Sequence, residues 1–221
     1  RDPTNAAEPS STSGCGEEEE DDDEDEEEEA EESARLRAEA HARREERRVR
    51  WSAAGERLAA DGYAIIDGFL GAAAAEALLA SVVALKESDN SPFVLGRTGG
   101  GKAGKDEKFA ERVVRGDQMA VLGDGEEARV GGLTALLRQA DELISTMAKG
   151  PVESLRGVTS RSRPMLACYP GGGARYVRHL DNPGGDKRNG RLLTFLCYLN
   201  PEWRPDNGGM LRLHRPDDGS Y

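Results

Sequence analysis

The residues with the clearest potential for chemistry are His179 and Asp181, which are separated by one residue in the stretch Arg178–Pro183. If this stretch is a β-strand, both side chains point to one face, because strand side chains alternate with a period of two residues. An imidazole and a carboxylate on one face match two protein ligands of a 2-His-1-carboxylate iron site, which keeps positions open for a co-substrate and dioxygen. The third protein ligand must then come from elsewhere. A His-x-Asp pair is also common on polar surfaces, so the pair alone does not establish a metal site.

The sequence around the pair is distinctive over a long stretch. Its characteristic segments are Arg163–Asp186, Leu192–Asn200, Gly208–Leu213, Tyr63–Leu70 and Arg115–Met119. Together they resemble the catalytic domain of the hypoxia-inducible-factor prolyl hydroxylases, which are iron(II)- and 2-oxoglutarate-dependent dioxygenases. The resemblance extends from about Glu56 to the end of the chain, so it is not confined to one motif.

This resemblance implies peptidyl-proline 4-hydroxylation coupled to the decarboxylation of 2-oxoglutarate to succinate and carbon dioxide. The implied cofactors are iron(II), 2-oxoglutarate, dioxygen and ascorbate, the implied partner is a proline-containing protein or peptide, and the context is oxygen sensing or protein modification. His179 and Asp181 would bind the metal. In the family, the second metal-binding histidine and the arginine that pairs with 2-oxoglutarate lie beyond the position of Tyr221. We therefore expect residues 1–221 by themselves to be inactive. Two alternatives stay open, namely a different substrate on the same fold and a non-catalytic binding or sensing module.

A co-substrate pocket is expected on one strand. Residues 192–199 are apolar on both faces, which predicts a strand covered on both sides. Alternation places Thr194, Leu196 and Tyr198 on one face. By resemblance these positions line the 2-oxoglutarate pocket, and Tyr169 matches a further pocket residue. Each hydroxyl could instead be satisfied within a core, but the joint occurrence on one face favours the pocket.

Three further residues are expected near the metal by resemblance. Arg115 opens an Arg-Gly-Asp tripeptide, in which Asp117 is similar to a carboxylate that orients ligands and metal-bound water. Tyr176 matches a tyrosine on the substrate side of the iron. Outside this context, an aspartate in such a tripeptide is usually a turn or capping residue.

His214 is a tempting third metal ligand because it directly follows the predicted strand Gly209–Leu213. The family, however, places its second metal-binding histidine further along the chain and has an apolar residue at this position. We therefore predict that His214 is a strand-end or loop residue.

The N-terminal third has an unusual charge pattern. Residues 17–32 are acidic at fifteen positions, interrupted only by Ala30; the whole chain carries −12, so without this tract it would carry +3. Such a tract repels itself and buries little apolar surface, which predicts a disordered acidic tail over residues 1–33 that could dock basic partners. Residues 34–55 are rich in Arg and predict a charged helix or linker. Nucleic-acid binding by residues 34–50 is disfavoured because Glu residues are interleaved there and stacking aromatic residues are absent from that stretch.

The remaining residues, 56–221, predict one α+β domain that is incomplete at its C-terminus. A strand is expected at Tyr63–Asp67, followed by a helix with apolar positions from Ala75 to Val83 and by a second helix from Leu133 to Met147. Gly96–Lys108 should be a mobile loop. After Arg161, short strands with Gly and Pro predict an antiparallel sandwich or barrel, and the resemblance implies a cupin-like jelly-roll, also called a double-stranded β-helix.

No stretch of about twenty apolar residues occurs, so we expect no transmembrane helix and no membrane partner. The three cysteines, Cys15, Cys168 and Cys197, are too few and too scattered for a disulfide framework. They predict reduced thiols and a cytoplasmic or nuclear location.

Overall fold

A computed structural model describes residues 18–96, 115–123, 125–182 and 190–214, with side chains from residue 28 onwards. Most of the predicted loop Gly96–Lys108 and the first part of the predicted acidic tail lie outside these ranges. The chain divides into two compact units, Arg1–Trp51 and Ser52–Tyr221.

The acidic tract is helical where the structure describes it. Helix α1 spans Glu18–Asp61 without interruption, so the prediction of disorder is wrong for residues 18–33, and no break separates the predicted segments 1–33 and 34–55. Glu, Ala and Arg are strong helix formers, and acidic residues near a helix N-terminus interact favourably with its dipole. Exposed ion pairs one turn apart add support, for example Arg43 with Glu39 at 2.9 Å.

The second unit is built around two further helices. Helix α2 spans Ala72–Glu87, and helix α3 spans Leu133–Lys149. Helix α3 begins after Gly132, whose φ of 81° is a left-handed conformation that glycine adopts without a steric penalty. Its predicted apolar spacing is confirmed, because the buried face consists of Leu133, Leu136, Ala140, Leu143 and Met147. The central core cluster joins both helices to the loops beside them through Leu78, Leu122, Val130, Leu133 and Leu136.

A small antiparallel sheet lies in the same unit. Its strands are β1 (Val94–Leu95), β2 (Gln118–Val121) and β3 (Met165–Cys168), in the order β1-β2-β3. Met119 is paired with Val94 on one side and with Ala167 on the other. Short 3-10 helices occupy Glu126–Arg129, Glu153–Gly157 and Pro205–Asn207.

Three predicted strands are not formed. Tyr63–Asp67, Leu192–Leu199 and Gly209–Leu213 all lack regular structure. A strand needs backbone hydrogen bonds from a neighbouring strand, and within the described ranges none of these segments has such a neighbour. The prediction that residues 192–199 are covered on both faces is also wrong, because Leu196 and Tyr198 are more than half exposed.

The predicted α+β class is confirmed by the helices and the antiparallel sheet. None of the helices in the described ranges combines the length and the apolar character that a membrane span requires.

Candidate functional site

His179 and Asp181 lie in an irregular segment that follows β3, not on a regular strand as predicted. This segment is held against residues 115–116 by an isolated antiparallel bridge between Arg115 and Tyr176 and by the Gly116 N–H, which donates to the Arg175 carbonyl at 2.9 Å. The two predicted ligands nevertheless converge. Nε2 of His179 lies 3.2 Å from Oδ1 of Asp181.

The orientation of the His179 ring is set by two contacts. Nδ1 lies 2.8 Å from the Val177 carbonyl oxygen, and the ring stacks on Tyr176 with centroids 3.7 Å apart and planes 25° apart. A carbonyl only accepts hydrogen bonds, so the contact assigns the proton to Nδ1. The lone pair of a neutral imidazole is then on Nε2 and faces Asp181.

The Asp181 carboxylate is held at both oxygens. The Thr194 hydroxyl donates to Oδ2 at 2.5 Å, and the Arg191 guanidinium lies 3.3 Å from Oδ1. Burial acts to raise the pKa of Asp181, but the hydrogen bond from Thr194 and the charge of Arg191 outweigh it, so the pKa is lower than its ordinary value. Asp181 is therefore ionised at neutral pH.

A buried ion pair lies behind Tyr176. Arg115 donates to Asp117 through Nε at 2.6 Å and through Nη2 at 2.9 Å, and the two residues are 8% and 0% exposed. Burial acts to lower the pKa of Arg115, but the hydrogen bond and charge of Asp117 raise it overall. The chain packs closely here, since a Cβ at Gly96 would lie 2.5 Å from Nε of Arg115. The pair is thus rigidly enclosed.

The predicted pocket residues are only partly brought together. Tyr169 lies near Arg115 and Asp117, whose charges affect its pKa, although burial is the main reason that this pKa is raised. Burial also raises the pKa of Tyr198, so both phenols stay protonated at neutral pH. Leu196 is 51% exposed. Thr194 contacts Asp181, the predicted metal ligand, a contact that the prediction of a pocket face did not include.

Nε2 of His179 and Oδ1 of Asp181 are placed so that both could bind one metal ion. Ligands about 2.1 Å from one ion and at right angles to each other are separated by about 3 Å, close to the 3.2 Å between Nε2 and Oδ1. Two electron-rich atoms at this distance also need a proton or a cation between them. No group of three or more His, Cys, Asp or Glu side chains suited to a metal occurs within the described ranges, and His214 is an exposed residue outside regular structure.

Two residues of this site were not predicted. Arg191 contacts Asp181, and the Asn182 side chain donates to the Arg191 carbonyl at 3.0 Å. The residues between them, 183–189, lie outside the described ranges. The asparagine directly after the predicted metal ligand Asp181 was the available signal, but its partner Arg191 is nine residues away and cannot be read from spacing.

Comparison with known proteins identifies relatives. The model of the 2OG-Fe(II) oxygenase superfamily matches residues 164–221. Prolyl hydroxylase EGLN3 of Rattus norvegicus is 37% identical over 161 residues, which cover 72% of this chain and 62% of that protein. Egl nine homolog 1 of Mus musculus is 33% identical over 153 residues, or 69% of this chain and 35% of that protein. The chain thus spans less than two thirds of the length of these curated relatives.

A solved structure is also similar. It is a prolyl hydroxylase from Trichoplax adhaerens in complex with a peptide fragment of the oxygen degradation domain of hypoxia inducible factor. The match has a TM-score of 0.57 and 30% identity, and it covers 75% of this chain and 69% of that chain.

Proposed function

Because this chain belongs to the prolyl hydroxylase family of the 2OG-Fe(II) oxygenase superfamily, we propose that it catalyses 4-hydroxylation of proline residues in a protein or peptide. One atom of dioxygen enters the proline as a hydroxyl, and the other enters 2-oxoglutarate, which becomes succinate as carbon dioxide leaves. The observation that carries the proposal is the convergence of Nε2 of His179 and Oδ1 of Asp181 at 3.2 Å.

His179 and Asp181 would contribute differently to the binding of iron(II). His179 would present Nε2 to the metal, because Nδ1 is directed at the Val177 carbonyl. Asp181 presents an ionised oxygen, which favours a divalent cation. Bound iron(II) with 2-oxoglutarate supplies the activation of dioxygen and the oxidation of the C–H bond. Ascorbate is the proposed reductant that keeps the iron in the divalent state.

The pocket residues are proposed to bind the co-substrate. Tyr169 and Tyr198 carry protonated phenols, which can donate hydrogen bonds to a carboxylate. Leu196 is proposed to offer an apolar contact to the co-substrate. The enclosed pair of Arg115 and Asp117 supports Tyr176 beside His179, where Tyr176 would face the peptide substrate.

The proposed catalytic domain comprises residues 56–221, preceded by the acidic segment 1–33 and the charged segment 34–55. We propose that its sheet belongs to the jelly-roll of the family and that the protein acts in oxygen sensing in the cytoplasm or nucleus. The acidic segment is proposed to dock basic partners. The solved relative holds a hypoxia inducible factor peptide, which supports a proline-containing peptide as the substrate class here.

The test is an assay of the full-length protein with iron(II), 2-oxoglutarate, ascorbate and proline-containing peptides. We expect one succinate for each oxygen atom added to a proline, measured by chromatography and peptide mass spectrometry. His179→Ala and Asp181→Ala should both reduce the two products to background, because each removes a metal ligand. Their side chains are more than one third exposed, so the fold should persist in circular dichroism.

His214→Ala is the matched control and should retain most of the activity. Turnover at the wild-type rate in either ligand variant would contradict the proposal. Peptide binding by the wild-type protein without any succinate would favour the non-catalytic binding module.

A further inference from the structure

The two oxygens of Asp181 have different partners. Oδ2 accepts a hydrogen bond from the Thr194 hydroxyl at 2.5 Å, whereas Oδ1 lies beside Nε2 of His179 and the Arg191 guanidinium. Resemblance assigned Thr194 to the co-substrate pocket. Its observed contact is with a proposed metal ligand.

The hydrogen bond from the Thr194 hydroxyl to Oδ2 restrains the orientation of the Asp181 carboxylate. Rotation of an aspartate carboxylate about its last torsion is broad and shallow, so an unsupported carboxylate samples many orientations. A charge-assisted O–H···O⁻ bond of this length is among the stronger hydrogen bonds in proteins. It holds one oxygen away from the metal position and presents the other, Oδ1, to His179.

The chain is anchored both before and after Thr194. Downstream, Cys197 and Leu199 pack against the core cluster. Upstream, the Arg191 carbonyl accepts the hydrogen bond from Asn182. The β-branched side chain has few rotamers, so this anchored segment delivers the hydroxyl to a defined place.

We infer that Thr194 is a positioning residue for Asp181, which sets the carboxylate for one-oxygen binding of a divalent cation before any co-substrate arrives. The inference rests on the proposed function, because it assumes that Asp181 binds a metal. It differs from a co-substrate role in one respect: it requires Thr194 to affect metal affinity in the absence of 2-oxoglutarate.

The experiment is a titration of the iron-free, full-length protein with Mn²⁺, without 2-oxoglutarate, followed by electron paramagnetic resonance. Thr194→Val keeps the shape and removes the hydroxyl, and we expect it to weaken Mn²⁺ binding about tenfold or more. Thr194→Ser restores the hydroxyl and should restore affinity close to that of the wild type. Thr134→Val, the same change on an exposed position of α3, should have no effect.

An unchanged Mn²⁺ affinity in Thr194→Val would overturn the inference. So would a finding that the wild type and His179→Ala bind Mn²⁺ equally well. If Thr194→Val altered only the concentration of 2-oxoglutarate needed for turnover, Thr194 would serve the co-substrate alone. Thr194-dependent metal binding in a protein that hydroxylates no proline would refute the proposed function and leave this inference supported.

Discussion

The guanidinium carbon of Arg115 lies 4.5 Å from the centroid of the Tyr176 ring. Tyr176 also stacks on His179, and Arg115 is fixed by its two hydrogen bonds to Asp117. A fully buried carboxylate is thus linked to a proposed metal ligand through one cation–π contact and one ring stack. The stack restrains the plane of the imidazole that carries the ligating nitrogen.

Replacing Tyr176 should reveal this restraint. Tyr176→Leu removes the ring, so we expect metal affinity to fall about tenfold in an Mn²⁺ titration. Tyr176→Phe keeps the ring face and should stay close to the wild type, because stacking does not need the hydroxyl. Equal affinities for the two variants would show that the stack does not act on His179.

The buried ion pair should contribute strongly to stability. Asp117→Asn leaves the enclosed Arg115 charge without its counter-charge, which should lower the free energy of unfolding by about 3–5 kcal/mol, measured by urea titration of the full-length protein. The control is Glu153→Gln, which breaks the pair between Glu153 and Arg156 at 3.1 Å, whose side chains are more than half exposed. That change should cost less than about 1 kcal/mol. Equal losses would contradict the assigned role of Asp117.

The thiol of Cys197 should react slowly in the folded protein. Burial raises its pKa, and the thiolate is the reactive form, so the ionised fraction at neutral pH is smaller than in the unfolded chain. The alkylation rate should therefore rise as the pH increases towards the raised pKa. Timed iodoacetamide labelling with mass spectrometry of the Cys197 peptide, in native buffer and in urea, measures this difference. Equal labelling rates in native buffer and in urea would refute the prediction that the folded protein slows the reaction of Cys197.

Deletion of residues 1–33 should leave the second unit stable. Side chains 28–33 of α1 are exposed or half-exposed, so we expect the free energy of unfolding to change by less than about 0.5 kcal/mol, measured by circular dichroism during urea unfolding. Deletion of residues 1–55 is the contrasting control. It removes the buried Ala54 and also Gly55, where a Cβ would lie 3.0 Å from Cγ of Pro151, and it should destabilise the fold clearly. Destabilisation by the shorter deletion would show that the acidic tract supports the domain.

The sequence by itself determined the features that depend on neighbours along the chain. The apolar spacing of α3 predicted its buried face because helical geometry repeats every 3.6 residues. The single residue between His179 and Asp181, with its distinctive surroundings, predicted two ligands on one side and the family to which the chain belongs. The prediction of a disordered acidic tract is wrong for residues 18–33 because the helix propensity of Glu outweighs charge repulsion there.

Only the tertiary structure decided which distant segments meet. The bridge between Arg115 and Tyr176, the hydrogen bond from Thr194 to Asp181 and the contact of Arg191 with Asp181 all join residues that are not neighbours in the sequence. Residues 192–199 illustrate the same limit, since their composition favours a strand but a strand exists only where a partner supplies its hydrogen bonds. Periodicity is a property of the local backbone, whereas pairing depends on how the whole core packs.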